Sequence, residues 1–199
     1  MTTDEHGDAI PGGDPGAEPP VGLGARLRAV WANPANRFVA LFLLYLVLLA
    51  TLYPRARERF QFVVDWMAEA TAAVEHVILG LFGRSTTLTG KIVTYDGFAV
   101  KIIEECTGIY EILIFAAAVL AFPTTWRKKA IGLLIGGPLL YLFNVIRILM
   151  LIFIGRYYNS IFDFMHLYFW QATLILMITS VWLLWIFKVV RHEPKATAV

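Results

Sequence analysis

Several long, predominantly apolar runs, each close to the length needed to cross a bilayer, constrain this chain more than any other feature. A long apolar run can lie in hydrocarbon only as a helix, because each peptide group must then be hydrogen-bonded internally. Charged residues make up only 16% of the 199 residues, against about 25% in soluble domains. The sequence therefore predicts an all-α integral membrane bundle. Its net charge of +2 gives no reason to expect nucleic acid as a partner.

Four of the apolar runs are predicted to span the membrane, namely residues 38–53, 107–122, 130–154 and 164–187. Basic residues stand before the first span, between the second and third, and after the fourth. Loops rich in Lys and Arg remain on the cytoplasmic side of a membrane. The pattern therefore predicts a multi-pass protein of the inner (cytoplasmic) membrane with both termini in the cytoplasm. It also predicts an extracytoplasmic insert at residues 54–105.

The polar ends of the chain are predicted to be tails. Residues 1–25 contain Gly, Pro and acidic residues with almost nothing to bury, which favours a disordered cytoplasmic tail. Residues 191–199 are predicted to be a second cytoplasmic tail. Residues 26–190 are expected to form one membrane-embedded domain that holds the active site.

The extracytoplasmic insert carries two local signals. Over residues 60–82 the apolar side chains share one side, which predicts an amphipathic helix at the membrane interface rather than a fifth span. The apolar side is expected to hold Val63, Trp66, Met67, Ala70, Val74, Val77, Ile78 and Leu81, and the opposite side Asp65, Glu69, Ala72 and His76. Further on, Asp96-Gly97 separates the short runs 92–95 and 98–101, which predicts a small β-hairpin.

Three polar residues on three different spans are predicted to lie at the same membrane depth. Cys106, the only cysteine, begins the second span, whose far end is about 27 Å deeper at 1.5 Å per residue. Arg147 lies about 25 Å along the outward-running third span, and His166 about 33 Å above the inner end of the fourth. Because the hydrocarbon core is about 30 Å thick, all three are expected near its outer surface.

These residue types together favour thiol chemistry. A cysteine attacks as its thiolate, which a helix N-terminus and nearby cations stabilise, so we expect the pKa of Cys106 to be lowered. His166 is the candidate general base and acid, and Arg147 the candidate group that positions a carbonyl or stabilises an oxyanion. Five further residues are supporting or substrate-binding candidates: Thr107, Gly108, Tyr110, Asn144 and Asp163. Thr107 and Gly108 would donate backbone N–H groups, and Asn144 would orient Arg147. Asp163 would cap the last helix or hold the imidazole.

Other interpretations of the same residues remain open. A lone cysteine is often a packing residue, an arginine near a helix end can extend to lipid phosphates, and a histidine among aromatic residues can belong to an interfacial belt. An intramembrane Arg147–Glu111 pair would instead suit a non-enzymatic assembly factor or small transporter. Glu104, Glu105 and Glu111 would oppose thiolate formation if they faced the sulfur. No spacing typical of a metal site occurs, so a phospholipid-modifying enzyme ranks low and no cofactor is predicted.

The ordered motifs Cys106-Thr107-Gly108-Ile109-Tyr110, Asn144-Val145-Ile146-Arg147 and His166 resemble the exosortase/archaeosortase family. The resemblance covers roughly residues 60–188, and the short chain is most similar to the compact exosortase H-type branch. It implies a membrane cysteine protease or transpeptidase whose triad maps onto Cys106, Arg147 and His166. It also implies a membrane-anchored protein substrate with a C-terminal sorting signal, which consists of a motif, a transmembrane helix and a basic cluster.

Such a substrate suits the predicted topology. Its own span could dock laterally against the four helices, which would leave its motif at the outer interface beside Cys106, while its basic tail stayed in the cytoplasm. The amphipathic helix and the hairpin are expected to roof the site and to hold an extended peptide by strand addition.

Overall fold

The computed structural model describes residues 31–191. The predicted tails, residues 1–25 and 191–199, lie outside the described residues apart from Arg191. The helices are α1 (Pro34–Arg59), α2 (Gln61–Gly80), α3 (Ile109–Ala121), α4 (Trp126–Tyr157) and a final helical segment, α5 (Asn159–Val190). Between α2 and α3 lie β1 (Thr86–Thr89), β2 (Ile92–Tyr95) and β3 (Phe98–Lys101), followed by a 3₁₀ turn, Glu104–Cys106.

Three of the described helices, α1, α4 and α5, are long and apolar enough to cross a membrane. This agrees with a multi-pass membrane protein. The remaining predicted span, residues 107–122, corresponds to α3, which has only 13 residues. At 1.5 Å per residue it measures about 20 Å, shorter than the ~30 Å hydrocarbon core. A count of four spans therefore stays a prediction.

α4 is longer than a single bilayer crossing requires. Its 32 residues measure about 48 Å, well over the hydrocarbon thickness. In its last turns, Arg156 Nε donates to Asp96 Oδ2 at 3.1 Å, across the turn between β2 and β3. A side chain at Gly155 would collide with the Phe98 ring, so the helix and the sheet are in close contact there. α4 therefore connects the helical bundle directly to the sheet.

The predicted hairpin is confirmed, but it is part of a larger sheet. β2 and β3 pair antiparallel with Tyr95 opposite Phe98, and Asp96 and Gly97 both have positive φ, as a two-residue type I′ turn requires. β1 adds a third antiparallel strand beside β2. The all-α prediction is corrected to that extent. β1 was missed because its sequence, Thr-Thr-Leu-Thr, is almost entirely exposed and has no buried alternation.

The helix α2 occurs over the predicted residues, but the face that packs against protein is not the predicted apolar face. The face that packs against the sheet and α4 consists mostly of small residues, namely Ala68, Thr71, Ala72, Glu75 and Leu79. Ala72 was expected on the polar side and is instead fully buried. The predicted apolar side, by contrast, leaves Trp66 67% and Val77 65% exposed. This outward apolar surface is what a helix needs to lie against lipid.

Two apolar clusters hold the chain together. The outer one joins α2, the sheet and α4, and Cys106 packs at its edge. The inner one joins α3, α4 and α5, where Gly132 and Gly136 of α4 leave room for Trp185 and Phe115. Any side chain at these two glycines would overlap those rings. Small residues four apart allow this close helix packing in membrane proteins.

Glu75 is an anomaly in the packed face of α2. Its exposed fraction is 0%, and neither carboxylate oxygen has a hydrogen-bond partner within the described part of the chain. Burial raises the pKa of this carboxyl from 4.5 to about 8, because the charged form loses its hydration.

We expect Glu75→Gln to raise the thermal unfolding temperature at pH 8.5 and to have little effect at pH 5. The carboxyl ionises near pH 4.5 when the chain is unfolded but only near 8 when it is folded. The folded state therefore loses stability as the pH rises through this window, by up to about 5 kcal/mol at 1.36 kcal/mol per pKa unit. The neutral amide removes this penalty. Melting of detergent-solubilised protein at both pH values measures the effect.

Glu69→Gln is the matched control, because Glu69 is exposed on the same helix. It should shift the unfolding temperature equally at the two pH values. If Glu75→Gln behaved in the same way, the carboxyl would not be titrating in the folded protein as described.

Candidate active site

Cys106 lies in a short, tightly bonded turn between the sheet and α3. Its N–H donates to the Ile103 carbonyl at 2.9 Å. The buried Thr107 donates both its N–H (3.0 Å) and its hydroxyl (2.7 Å) to the Glu104 carbonyl. Gly108 then takes a φ of +77° directly before α3 begins at Ile109, a conformation that side chains other than glycine rarely adopt. The thiol is thus held at the N-terminal end of α3 by backbone geometry.

The hydrogen bonds of this turn leave only one of the two predicted backbone donors available to an oxyanion. Thr107 was predicted as a backbone donor, but its N–H is already engaged by Glu104. Within residues 31–191, the Gly108 N–H has no hydrogen-bond acceptor. Gly108 is therefore the better placed of the two predicted donors.

Asn144 of α4 connects the cysteine turn to the arginine. It is fully buried, and its Nδ2 donates to the Cys106 carbonyl at 2.6 Å. Its Oδ1 accepts from Arg147 Nη1 at 3.4 Å, a long bond. A Cβ at Gly108 would lie 3.2 Å from Asn144 Cβ, so the turn also packs tightly on this side chain. The contact with Arg147 follows from the predicted three-residue spacing, whereas the contact with the Cys106 carbonyl was not predicted.

Arg147 borders a cavity of about 320 Å³ between α3 and α5. It is only 8% exposed, and its Nε has no hydrogen-bond partner in the described part of the chain. Glu111 lines the same cavity, with Oε2 buried and also unpartnered. Among residues 31–191 no ion pair within 4 Å joins these two side chains, although the interpretation as an assembly factor or transporter depends on one.

The three carboxylates near the thiol have different roles. Glu104 is buried, accepts from the hydroxyls of Tyr53 of α1 and Tyr110 of α3, and pairs with Arg57 of α1. Burial alone would raise the pKa of Glu104, but these hydrogen bonds and the Arg57 charge together lower it. Glu105 is exposed, and Glu111 lies in the cavity. Tyr110 therefore supports Glu104 in this structure, and it also lines the cavity.

The surroundings of Cys106 favour its protonated thiol over the thiolate. Burial raises the pKa of Cys106, and the charges of Glu105 and Glu111 raise it further. The Arg147 charge lowers this pKa, but by less than burial raises it. The expected lowering of this pKa is not found, because the effect of burial outweighs the Arg147 charge.

His166 packs against an aromatic ring of its own helical segment, α5. Its ring stacks on Phe162 with centroids 5.7 Å apart, and in the described residues it makes no hydrogen bond with Cys106. Met165–Phe169 form a π-helical turn, which changes the direction of His166 relative to the residues that follow. Asp163 is exposed and neither caps the helix nor bonds to the imidazole. Hydrogen bonds through Asn144 thus connect Cys106 and Arg147, and within residues 31–191 no hydrogen bond joins His166 or Asp163 to this group.

Sequence reasoning missed Tyr53 and Arg57. Both belong to α1, about 50 positions before their partner Glu104, and no local spacing connects them. The available signal was Glu104 itself, close before the cysteine in the sequence, because a carboxylate must find donors if it is buried.

The fold and the site define a multi-pass helical membrane protein with a lone cysteine, an arginine and an asparagine grouped at the start of a short helix. The chain matches the family described as Transmembrane exosortase (Exosortase_EpsH) over residues 20–186, and it belongs to that family. The searches of curated proteins and of solved structures each returned no match. The family resemblance stated from the motifs is confirmed. Membership indicates a membrane protein-sorting transpeptidase that acts on membrane-anchored substrates.

Proposed function

We propose that this protein is a membrane cysteine protease or transpeptidase that cleaves proteins bearing a C-terminal sorting signal. The observation that carries this proposal is the Asn144 side chain, which bonds the Cys106 carbonyl on one side and Arg147 on the other. A fully buried amide that fixes a lone thiol relative to a buried guanidinium is typical of a preorganised reaction centre. A structural role for either residue alone would not require this link.

The proposed reaction proceeds through a thioester. His166 takes the Cys106 proton, and the thiolate attacks the carbonyl carbon of the substrate peptide bond, forming a C–S bond and an oxyanion. Arg147, with the free Gly108 N–H, stabilises that oxyanion. When the C–N bond breaks, the imidazolium returns its proton to the leaving amine. Water or an acceptor amine then gives a proton to His166 and attacks the thioester carbonyl, the C–S bond breaks, and the imidazolium returns that proton to the Cys106 sulfur.

The raised pKa of Cys106 makes substrate binding part of this mechanism. Excluding water from the cavity strengthens the effect of Arg147, and bringing His166 to the sulfur supplies the base. Phe162 contacts both His166 and Phe98 of β3, with centroids 5.7 Å and 6.0 Å apart. A peptide that displaces the sheet would therefore also act on the ring against which His166 rests.

The proposed substrate follows from the topology. Its motif reaches Cys106 on the extracytoplasmic side of the inner membrane, its apolar span lies beside the bundle, and its basic tail remains in the cytoplasm. The roof formed by α2 and the sheet, with strand addition at an edge of the sheet, is part of the same proposal.

Capture of the thioester tests this function directly. The protein is co-expressed with a reporter whose C-terminus carries a motif, an apolar span and a basic cluster, taken from a candidate substrate of the same organism. We expect intact-mass analysis to show an adduct on Cys106 that neutral hydroxylamine removes, because amine nucleophiles cleave thioesters. Cleavage of the reporter without any adduct on Cys106, under conditions that trap thioesters, would contradict the mechanism.

A further inference from the structure

The cavity between α3 and α5 continues from the cysteine turn towards the membrane interior. The exposed Glu105 and Gln171 border its mouth, and Glu111 and Arg147 lie deeper. Ile114 of α3 and Ile178 of α5 line its far end. It is thus a slot with a polar upper part and an apolar lower part. A substrate chain that leaves Cys106 for its own membrane span must pass in this direction.

The polar part of the slot contains one unused donor and one unused acceptor. Within residues 31–191, Arg147 Nε and Glu111 Oε2 are both buried without a partner, although both side chains line the same cavity. Unpaired buried polar groups are costly at low dielectric and are rare in native structures. Such a pair of orphans is therefore a strong indication of a ligand that supplies the matching acceptor and donor.

The combined chemistry restricts that ligand. A simple anion would be repelled by the carboxylates of Glu105 and Glu111, and a simple cation would be repelled by Arg147. A peptide group is neutral overall and offers a C=O and an N–H. A peptide that has left the aqueous phase, but has not yet become helical, must bond both groups to protein. A zwitterionic lipid headgroup also carries both charges, but it would remain at the interface, whereas the slot extends two turns along α5, from Gln171 to Ile178.

We infer that the slot is a subsite for the substrate backbone on the membrane side of the cleaved bond. Arg147 Nε–H donates to a substrate carbonyl, Glu111 Oε2 accepts from a substrate N–H, and Gln171 at the mouth can do either. The apolar lower part takes the first side chains of the substrate span. Glu111 and Gln171 are thereby assigned as substrate-binding residues. This inference rests on the proposed function.

Cross-linking tests the location of the subsite. Cys106→Ala leaves the protein without any cysteine, because the chain has only one, so single cysteines can be introduced by Gln171→Cys or Leu176→Cys. Leu176 is on the same helix, 65% exposed, and does not line the slot. The probe is the reporter described above, with single cysteines in the first turn of its span. We expect oxidation to produce a disulfide with position 171 at least tenfold more often than with position 176.

Two substitutions test the chemistry in the protein that retains Cys106. Glu111→Gln keeps an oxygen acceptor, so the KM for the purified reporter should change less than threefold. Glu111→Leu removes the acceptor, so KM should rise at least tenfold with a smaller change in kcat. If Gln were as damaging as Leu, the carboxylate charge would be what matters, as for a lipid headgroup or another cation, and the inference would be wrong. Equal cross-linking at positions 171 and 176 would also overturn it.

The two proposals fail in different ways. If the reporter cross-links to position 171 but Cys106 never forms a thioester, the subsite is supported and the reaction is not. If the thioester forms, position 171 does not cross-link and Glu111→Leu has a normal KM, the reaction is supported and the subsite is wrong.

Discussion

Cys106→Ser is expected to abolish processing of a sorting-signal reporter, with a fall of at least about 10³-fold, the scale on which loss of a nucleophile acts. Serine keeps the size of the side chain but replaces the sulfur with a hydroxyl that is far harder to ionise. The site already raises the pKa of a thiol through burial, so it is poorly suited to activate an alcohol. Immunoblots of membranes should show only the full-length reporter.

The folded state of this variant must be checked separately. Cys106 is half-buried at the edge of the outer cluster, so an isosteric change should alter the unfolding temperature by only a few degrees. The variant should also lose all labelling by a thiol-specific reagent, since it has no other cysteine. Processing above a few per cent of the wild-type rate by a well-folded Ser variant would show that Cys106 is not the nucleophile.

The long helices and the hairpin were predictable because their signals are local. Apolar runs in a chain with few charges can satisfy their backbone only as helices, and the ranges 130–154 and 164–187 fall inside α4 and α5. Asp96-Gly97 fixed a two-residue turn and with it the pairing of β2 with β3. Among the three described strands, β1 was missed, because an exposed Thr-rich strand has no periodic pattern to detect.

The orientation of α2 could not be predicted from periodicity. A helix at a membrane interface has lipid on one side and protein on the other, and both can accept apolar residues. Here the large residues, such as Trp66, face outward, and the close packing against the sheet uses Ala68 and Ala72. Hydrophobic periodicity identifies a helix with two faces but not which face contacts protein.

The directions of the candidate side chains could not be predicted. Counting residues predicts one membrane depth for Cys106, Arg147 and His166, yet it does not give the direction of each side chain around its helix. Arg147 does approach Cys106, through Asn144. His166 belongs to a π-helical turn, where the helical phase changes, and it rests on Phe162 instead. Contacts between helices, such as Glu104 with Tyr53, have no signature in local spacing.

Arg147→Lys is expected to reduce processing by about 10²- to 10³-fold, the range found when one oxyanion donor is removed. Lysine keeps the positive charge, so the electrostatic effect on Cys106 is partly retained. It lacks the planar guanidinium, in which Nη1 bonds Asn144 while Nε remains free towards the cavity. An ammonium on a flexible stem cannot reproduce both directions at once. The rate of reporter cleavage in membranes measures the loss.

Arg156→Lys provides the matched control, because Arg156 lies near the end of the same helix and its partner Asp96 lies in the turn between β2 and β3. This exposed pair contributes little, so cleavage should remain within about twofold of wild type. If Arg147→Lys also stayed within that range, the arginine would act as a simple charge. The geometry set by Asn144 would then have no part in catalysis. A loss confined to Arg147 would instead mean that the fixed direction of the guanidinium, held by Asn144 beside Cys106, is required for the reaction.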